Sequence, residues 1–282
     1  MKKIALVTPV KDEIHNLDRF FSSLSSQTYP IDYLVVVEND SIDGTQKYLE
    51  KLGKVNNIKN VDIINMTFKD KRYDLGFKYS RIVGRGFEYL KELTGYKKID
   101  YIGILDADCF PEKEYYSKLV TFLNKNPKVG ITSGVNYTLD GKKHISSRNF
   151  VRGNSRVWQK QCLEVTGFPI EPSPDSLTVA LAHINGWKTA VVRDARVTAR
   201  EVNDKEGTYY ISGQRAYYRG ISPINIILRS IYLSGFKGKF KMAREYCIGY
   251  FRDLFNSKPK IQNKQIRNYY RYYLLRKLML KD

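Results

Sequence analysis

The chain has 282 residues, 42% of them hydrophobic, and a formal charge of +19. That hydrophobic share is enough for a real core and excludes global disorder, and the length suits one large domain or one domain with a sizeable extension. The charge is uneven: residues 205–282 hold 17 Lys+Arg against 4 Asp+Glu, a balance of +13, which leaves +6 for the 204 residues before them.

In chain order, "MKKIALVTPVKDE" gives a first strand stopped by Pro9, with an apolar run too short for a signal peptide. Ile14, Leu17, Phe20, Phe21 and Leu24 then recur at helical spacing. "YLVVVEN" is a second strand, and Ser41 or Asp43 is expected to cap a helix beginning near Thr45. "VDIINM" (61–66) is a third strand, followed by a helix over about 75–93 and by "DYIGILD" as a fourth strand. "EKEYYSKLVTFLNKNP" is an amphipathic helix closed by Asn126-Pro127. "VGITSGV" (129–135) and "KTAVVRD" (188–194) are further strands, with Leu177, Ala180, Leu181 and Ile184 on one face of a helix between them. Strands alternating with helices predict an α/β layered fold with a mostly parallel sheet. Cys109, Cys162 and Cys247 are far apart and form no CxxC pair, which fits a reduced, cytoplasmic protein better than a disulfide scaffold or a zinc site. No run approaches the roughly 18 apolar residues of a spanning helix, so membrane contact is expected to be peripheral at most.

In open sheets of this kind ligands sit beyond the carboxyl ends of the strands. Three loops fall there: Thr8-Pro9-Val10, Glu38-Asn39 and Asp106-Ala107-Asp108. Residues two apart in an extended chain project together, so Asp106 and Asp108 place two negative charges side by side, and something cationic has to offset them. No GxGxxG follows the first strand and no GxxxxGK[ST] occurs, which argues against a dehydrogenase-type dinucleotide fold and a P-loop NTPase. A divalent cation held by Asp106 and Asp108 would in turn hold a phosphorylated ligand. The competing assignment is a solvated loop after a strand.

These residues resemble family 2 glycosyltransferases, inverting GT-A enzymes that use nucleotide sugars. "ALVTPVKDEIHNLDRFFSSLSSQTYPIDYLVVVENDSIDGT" is similar to that family's opening unit nearly end to end, "LGFKYSRIVGRG" to its glycine-to-arginine helix, and "DAD" to its DxD motif. "RGNSRVWQKQCLEVTGFP" and "PDSLTVALAHINGW" resemble the segments that follow, so the resemblance covers about residues 3–200. It implies a GT-A type, Rossmann-like catalytic domain over 1–204, with a nucleotide-sugar half to about 110 and an acceptor half from about 111. A helical, basic, Tyr-rich extension over 205–282 completes the expected layout.

By the same resemblance Thr8, Val10 and Glu38 surround the base and ribose, and Arg81 approaches the uracil or diphosphate. Pro9, Glu13, Asn39 and Ala107 complete the donor-binding set. Asp106 reaches the ribose or the metal, Asp108 ligates Mg²⁺ or Mn²⁺ directly, and Asp175 is the general base toward an acceptor hydroxyl. An in-line displacement at the sugar C1 needs such a base on one side and a cation on the leaving diphosphate. The implied activity is metal-dependent transfer from a UDP-sugar, or second a GDP-sugar, to a glycan or lipid-linked acceptor.

Departures from the family pattern are specific. Glu38 stands where Asp is usual, Pro174 replaces the Glu of a Glu-Asp pair, and "ARVTAREV" lacks a histidine found there in many members. An ordinary N-cap competes for Asp175, a helix-surface position for Arg81, and Glu171 and Asp194 are spare acids for the base role. "SGQRAYYRG" only partly echoes the Gln-Arg-Trp motif of processive synthases. His15, His144 and His183 read as surface or helix-face residues, and Trp158 and Trp187 as core.

In the extension, Ser222 and Pro223 open a helix whose Ile224, Ile227, Leu228, Ile231 and Tyr232 form an apolar stripe. A second helix sets Lys260, Lys264, Arg267 and Arg271 against Ile266, Tyr269, Tyr270, Tyr273 and Leu274. Such faces suit an anionic membrane surface, reached through 222–282; the alternatives are a helical subdomain or a non-catalytic, nucleic-acid-binding segment.

Overall fold

Apolar runs become sheet strands here because each one presents alternate side chains to two helical layers. The computed structural model describes residues 1–69, 75–143, 150–200 and 208–272. Its contacts define two units, one of residues 1–73, 77–170 and 174–201, the other of 74–76, 171–173 and 202–282.

In the first unit, strands β1 (Ile4–Val10), β2 (Ile31–Glu38), β3 (Ile58–Asn65) and β4 (Tyr101–Ile104) run parallel in the order β3-β2-β1-β4. Ile4 and Leu6 of β1 enter one core with Leu17, Phe20, Phe21 and Leu24 of helix α1 (Ile14–Ser25). Ala5 and Val7 enter the opposite core. There they join residues of α3 (Phe77–Glu92), which follows the short α2 (Thr45–Glu50) in sequence. Burying each large apolar side chain contributes roughly 1.5–3 kcal/mol, so this two-sided alternation fixes the strand register.

The sheet reaches eight strands by adding β5 (Cys109–Pro111), β6 (Val129–Tyr137), β7 (Arg156–Gln159) and β8 (Lys188–Ala199), in the order β4-β7-β6-β8-β5. β7 runs antiparallel to both β4 and β6, β5 antiparallel to β8, and β6 parallel to β8. Helix α4 (Tyr115–Lys125) occupies the predicted amphipathic segment; α5 (Lys160–Thr166) and α6 (Pro174–Ile184) follow β7. β8 continues past residue 194, where the sequence pattern placed its end, after two register shifts against β6. Bulges of this kind redirect a strand. Here the redirected end pairs Ala199 with Cys109, so Arg200 emerges beside the DAD turn.

The second unit is helical over its described residues: α7 (Thr208–Tyr218), α8 (Pro223–Ile231), a π turn (Tyr232–Phe236), α9 (Phe240–Phe255) and α10 (Lys264–Arg271). Its core joins Ala216, Tyr217, Ile226, Tyr246 and Tyr250. Ser222 stands at the N-cap of α8 with Pro223 in its first turn, as the sequence predicts. In α10 the residues Ile266, Tyr269 and Tyr270 are buried, so that helix turns its aromatic face inward; Tyr273 and Leu274 lie outside the described residues. No helix among the described residues is long and apolar enough to cross a membrane.

Candidate active site

The carboxyl ends of β2, β1 and β4 are locked side by side. Val10 pairs with Glu38, the Asn39 amide donates to Val10 O at 3.0 Å, and the Leu105 amide donates to Val7 O at 3.1 Å. The loops after β1 and β2 are stitched by side chains. Asp12 Oδ1 accepts from the Ile42 amide at 2.8 Å, Ser41 Oγ from the Asp12 amide at 2.9 Å, and Asp43 Oδ2 from the Ile14 amide at 3.0 Å. Gly44, not Ser41 or Asp43, occupies the N-cap position of α2, and Asp43 instead accepts from the Thr45 amide through Oδ1 at 3.0 Å.

Glu38 and Asn39 are buried struts of this loop. The Glu38 carboxyl curls back to accept from the Ser41 amide at 2.7 Å, and Asn39 Nδ2 donates to Met66 O at 2.7 Å. The extra methylene of Glu38 over Asp is what lets the carboxyl reach around its own turn. Thr8 is fully buried, and its hydroxyl has no hydrogen-bond partner among the described residues. Thr8 is thus packed beneath the strand end, with no exposed atom to offer a ligand in this conformation.

Asp106 and Asp108 occupy a tight turn closed by the Cys109 amide donating to Asp106 O at 2.9 Å. Tyr79, from α3, donates its hydroxyl to Asp106 Oδ1 at 2.9 Å. Burial holds the Asp106 carboxyl well above the usual carboxylate range, and the charges of Asp108 and Asp175 push it the same way against the Tyr79 bond and Arg156. Asp108 meets Arg200, whose Nη2 lies 3.3 Å from Asp108 Oδ2 and 3.1 Å from Glu13 Oε1. The cation required beside the aspartate pair is therefore this guanidinium, strung between Asp108 and Glu13. Glu13 also accepts from Asn16 Nδ2, and burial raises its carboxyl above the ordinary value.

Asp175 lies in the first turn of α6, one residue inside the helix that Pro174 opens, so it is not the N-cap that competed with the base assignment. Its side chain is 44% exposed. Two features hold it. Arg156, buried in β7, sets Nη2 3.8 Å from Asp175 Oδ1 and donates from Nη1 to Asp175 O at 3.1 Å and Thr178 Oγ1 at 2.6 Å. The same guanidinium donates to Arg152 O at 2.8 Å and Val151 O at 3.1 Å and lies over the Trp158 ring. Gly153 is the other feature: a Cβ there would sit 2.2 Å from Asp175 Cγ, so the carboxylate rests directly against the glycine.

Other expected residues fall elsewhere. Arg81 is on the exposed face of α3 with its guanidinium 5.0 Å from the Phe68 ring centroid, beside the loop where the Phe68 amide donates to Asp40 Oδ2 at 3.0 Å. Glu171, in the second unit, accepts from the Tyr218 hydroxyl, and Asp194 is an exposed residue within β8. Pro9 does not stop the first strand but lies within β1, paired with Val37; Ala107 sits in the turn between the two aspartates, and Trp158 is core. His183 bonds Thr189 Oγ1, His15 is exposed, and His144 lies outside the described residues. Arg200, Arg156, Tyr79 and Gly153 are the site residues that sequence reasoning missed. The arginine directly before the apolar Val157-Trp158 pair in "SRVWQ" was the available signal for Arg156.

Among the described residues no cluster of three or more His, Cys, Asp and Glu could by itself hold a metal ion. Two hard carboxylates nevertheless fit one Mg²⁺ or Mn²⁺ whose remaining positions are filled by water and phosphate oxygens.

A model of the family described as Glycosyl transferase family 2 matches residues 5–81. Glucomannan 4-beta-mannosyltransferase 7 of Arabidopsis thaliana is 23% identical over 216 residues, 67% of this chain and 37% of that protein. An uncharacterized glycosyltransferase of Haemophilus influenzae is 30% identical over 113 residues, 40% of this chain and 30% of that one. The chain thus spans about a third of the length of these curated relatives. Among solved structures, the mannosyltransferase PcManGT from Pyrobaculum calidifontis in complex with GDP-Man and Mn²⁺ superposes with a TM-score of 0.55 at 15% identity, covering 98% of this chain and 86% of that one. S. aureus TarS 1–349 in complex with UDP-GlcNAc gives 0.55 at 16% identity, covering 94% and 78%. At these identities the structures show the fold, which is of the GT-A type.

Proposed function

We propose, from the match of residues 5–81 to the Glycosyl transferase family 2 model, that this chain is a glycosyltransferase that moves a sugar, with inversion, from a nucleoside-diphosphate sugar to a hydroxyl of a glycan or lipid-linked acceptor. A UDP-sugar is the favoured donor and a GDP-sugar the second. The observation that carries this reading is geometric: the Asp106 amide donates to Asn154 O at 2.9 Å and the adjacent Gly153 rests against the Asp175 carboxylate, so one short segment joins the donor-side pair to the acceptor-side acid.

Each residue then has a task. Glu38 and Asn39 shape the wall against which base and ribose lie, and Thr8 packs beneath it. Asp106 and Asp108 would hold Mg²⁺ or Mn²⁺, which supplies Lewis-acid neutralisation of the charge growing on the diphosphate. Arg200, half-exposed between Glu13 and Asp108, adds a fixed positive charge on the same side. Asp175 accepts the proton of the acceptor hydroxyl as its oxygen bonds to C1, while the C1–O bond to the diphosphate breaks and the electron pair leaves with the phosphate oxygen. The Arg156 contact and the bare Cα of Gly153 hold its carboxylate in place for that step.

The test is nucleoside-diphosphate release from a panel of UDP- and GDP-sugars with Mn²⁺, Mg²⁺ or EDTA. One donor is expected to turn over slowly with water as acceptor. That turnover should be lost with EDTA and with Asp108→Ala, and reduced by Asp175→Asn with donor affinity retained.

A further inference from the structure

The apolar stripe of α8 does not face a core. Ile224 (68% exposed), Ile227, Leu228, Ile231 and Tyr232 all lie open, and only Ile226 and Ser230 of the helix are buried. The exposed row continues through the π turn to Phe236 (79%) and on to Phe240 (69%) at the start of α9. Soluble proteins rarely leave a contiguous apolar row of this kind uncovered unless something binds it.

The charge beside the row identifies what covers it. From 222 to 244 the sequence has five cations, Arg229, Lys237, Lys239, Lys241 and Arg244, and no Asp or Glu. "FKGKFK" sets two exposed phenylalanines among three lysines. Gly238 has a φ of +62°, so the chain turns there without a side chain in the way. A second copy of this chain would set five positive charges against five. Nucleic acid would satisfy the lysines and stack on the phenylalanines but offers nothing to a row of isoleucines and leucine. An anionic bilayer answers both features: acyl chains take the aliphatic and aromatic side chains, and headgroup phosphates take the cations. The helix lies on the surface rather than crossing it, since no described helix is long and apolar enough to span.

We propose that the α8–π–α9 segment, residues 223–241, is a docking face for an anionic phospholipid surface. This inference stands on the second unit alone and holds whether or not the glycosyltransferase reading does.

The experiment is flotation of the full chain with vesicles of phosphatidylcholine alone or with one third phosphatidylglycerol, over a range of salt. Strong binding is expected only to the anionic vesicles, weakening as salt rises. Each cation near the surface changes affinity about fivefold, so Lys237→Gln with Lys239→Gln and Lys241→Gln should weaken binding on the order of 100-fold. Phe236→Ser with Phe240→Ser should also release the protein, which separates insertion from simple charge attraction. These side chains are exposed, so melting temperatures should match wild type. No flotation of the wild type, equal flotation of either variant, or loss instead of single-stranded RNA binding or of a dimer measured by light scattering would overturn the proposal.

Discussion

Replacing Gly153 by alanine is a one-methyl test of how Asp175 is held. The new Cβ would lie 2.2 Å from the carboxyl carbon and 2.2 Å from Oδ1, where ordinary contact begins at 3.4 Å, so the carboxylate must retreat by 3.4 − 2.2 = 1.2 Å. Gly153 does not occupy the left-handed region, so the backbone accepts the methyl and the strain falls on the contact. Overpacking of this sort costs about 1–3 kcal/mol of stability. A displacement near 1 Å in a reacting group lowers its rate by about 100-fold, or about 2.7 kcal/mol of activation free energy. Because Asp175 serves the acceptor side, the expected signature is a kcat for nucleoside-diphosphate release down about 100-fold with the donor Kd, by calorimetry, within about threefold of wild type. Urea denaturation checks that the variant is folded. A folded Gly153→Ala protein with unchanged kcat would refute the assignment of Asp175 as the base in this geometry.

Further perturbations address the remaining groups. Because burial raises Asp106 above the ordinary carboxylate range, its metal- and donor-binding form gains population as pH rises, so donor-plus-metal affinity should climb with pH and binding should release a proton. Tyr79→Phe removes a bond that opposes that shift, so the rise should move to higher pH; an unmoved profile by calorimetry in paired buffers would exclude Asp106 as the titrating group. The same raised value means the folded state keeps a proton that the unfolded chain loses, so Asp106 favours folding at low pH and that contribution fades as pH rises through its folded value. Asp106→Asn should therefore abolish turnover yet raise the melting temperature at neutral pH. Arg200→Ala frees Asp108 from a half-exposed ion pair contributing no more than about 1 kcal/mol, so Mn²⁺ should bind up to about fivefold tighter without donor while donor affinity falls. Arg156→Ala strips partners from the Val151 and Arg152 carbonyls and should destabilise the fold by about 3 kcal/mol in urea titrations.

The parallel half was legible because β1 and β2 bury both faces, so their apolar runs stand out between helical patterns, and the loops at their ends follow. β7 escaped notice because it is four residues long and opens on Arg156, whose charge is met by the carbonyls of Val151 and Arg152 just before the strand and of Asp175 in α6. β5 is three residues ending in Pro111, which reads as a turn. Arg200 was hidden for a related reason: only the irregular pairing of β6 and β8 carries the strand far enough to deliver it to Asp108. The α8 stripe was visible as periodicity, but periodicity gives the spacing of apolar residues and not what lies against them. The same limit applied to α10, where Ile266, Tyr269 and Tyr270 turned out to be buried.

The most direct test of the central claim is nucleoside-diphosphate release across UDP- and GDP-sugars, comparing wild type with Asp108→Ala in the presence of Mn²⁺, Mg²⁺ or EDTA. The account predicts slow turnover of one donor that disappears with EDTA and with the variant. No binding or turnover of any donor, or turnover indifferent to Asp108, would contradict it.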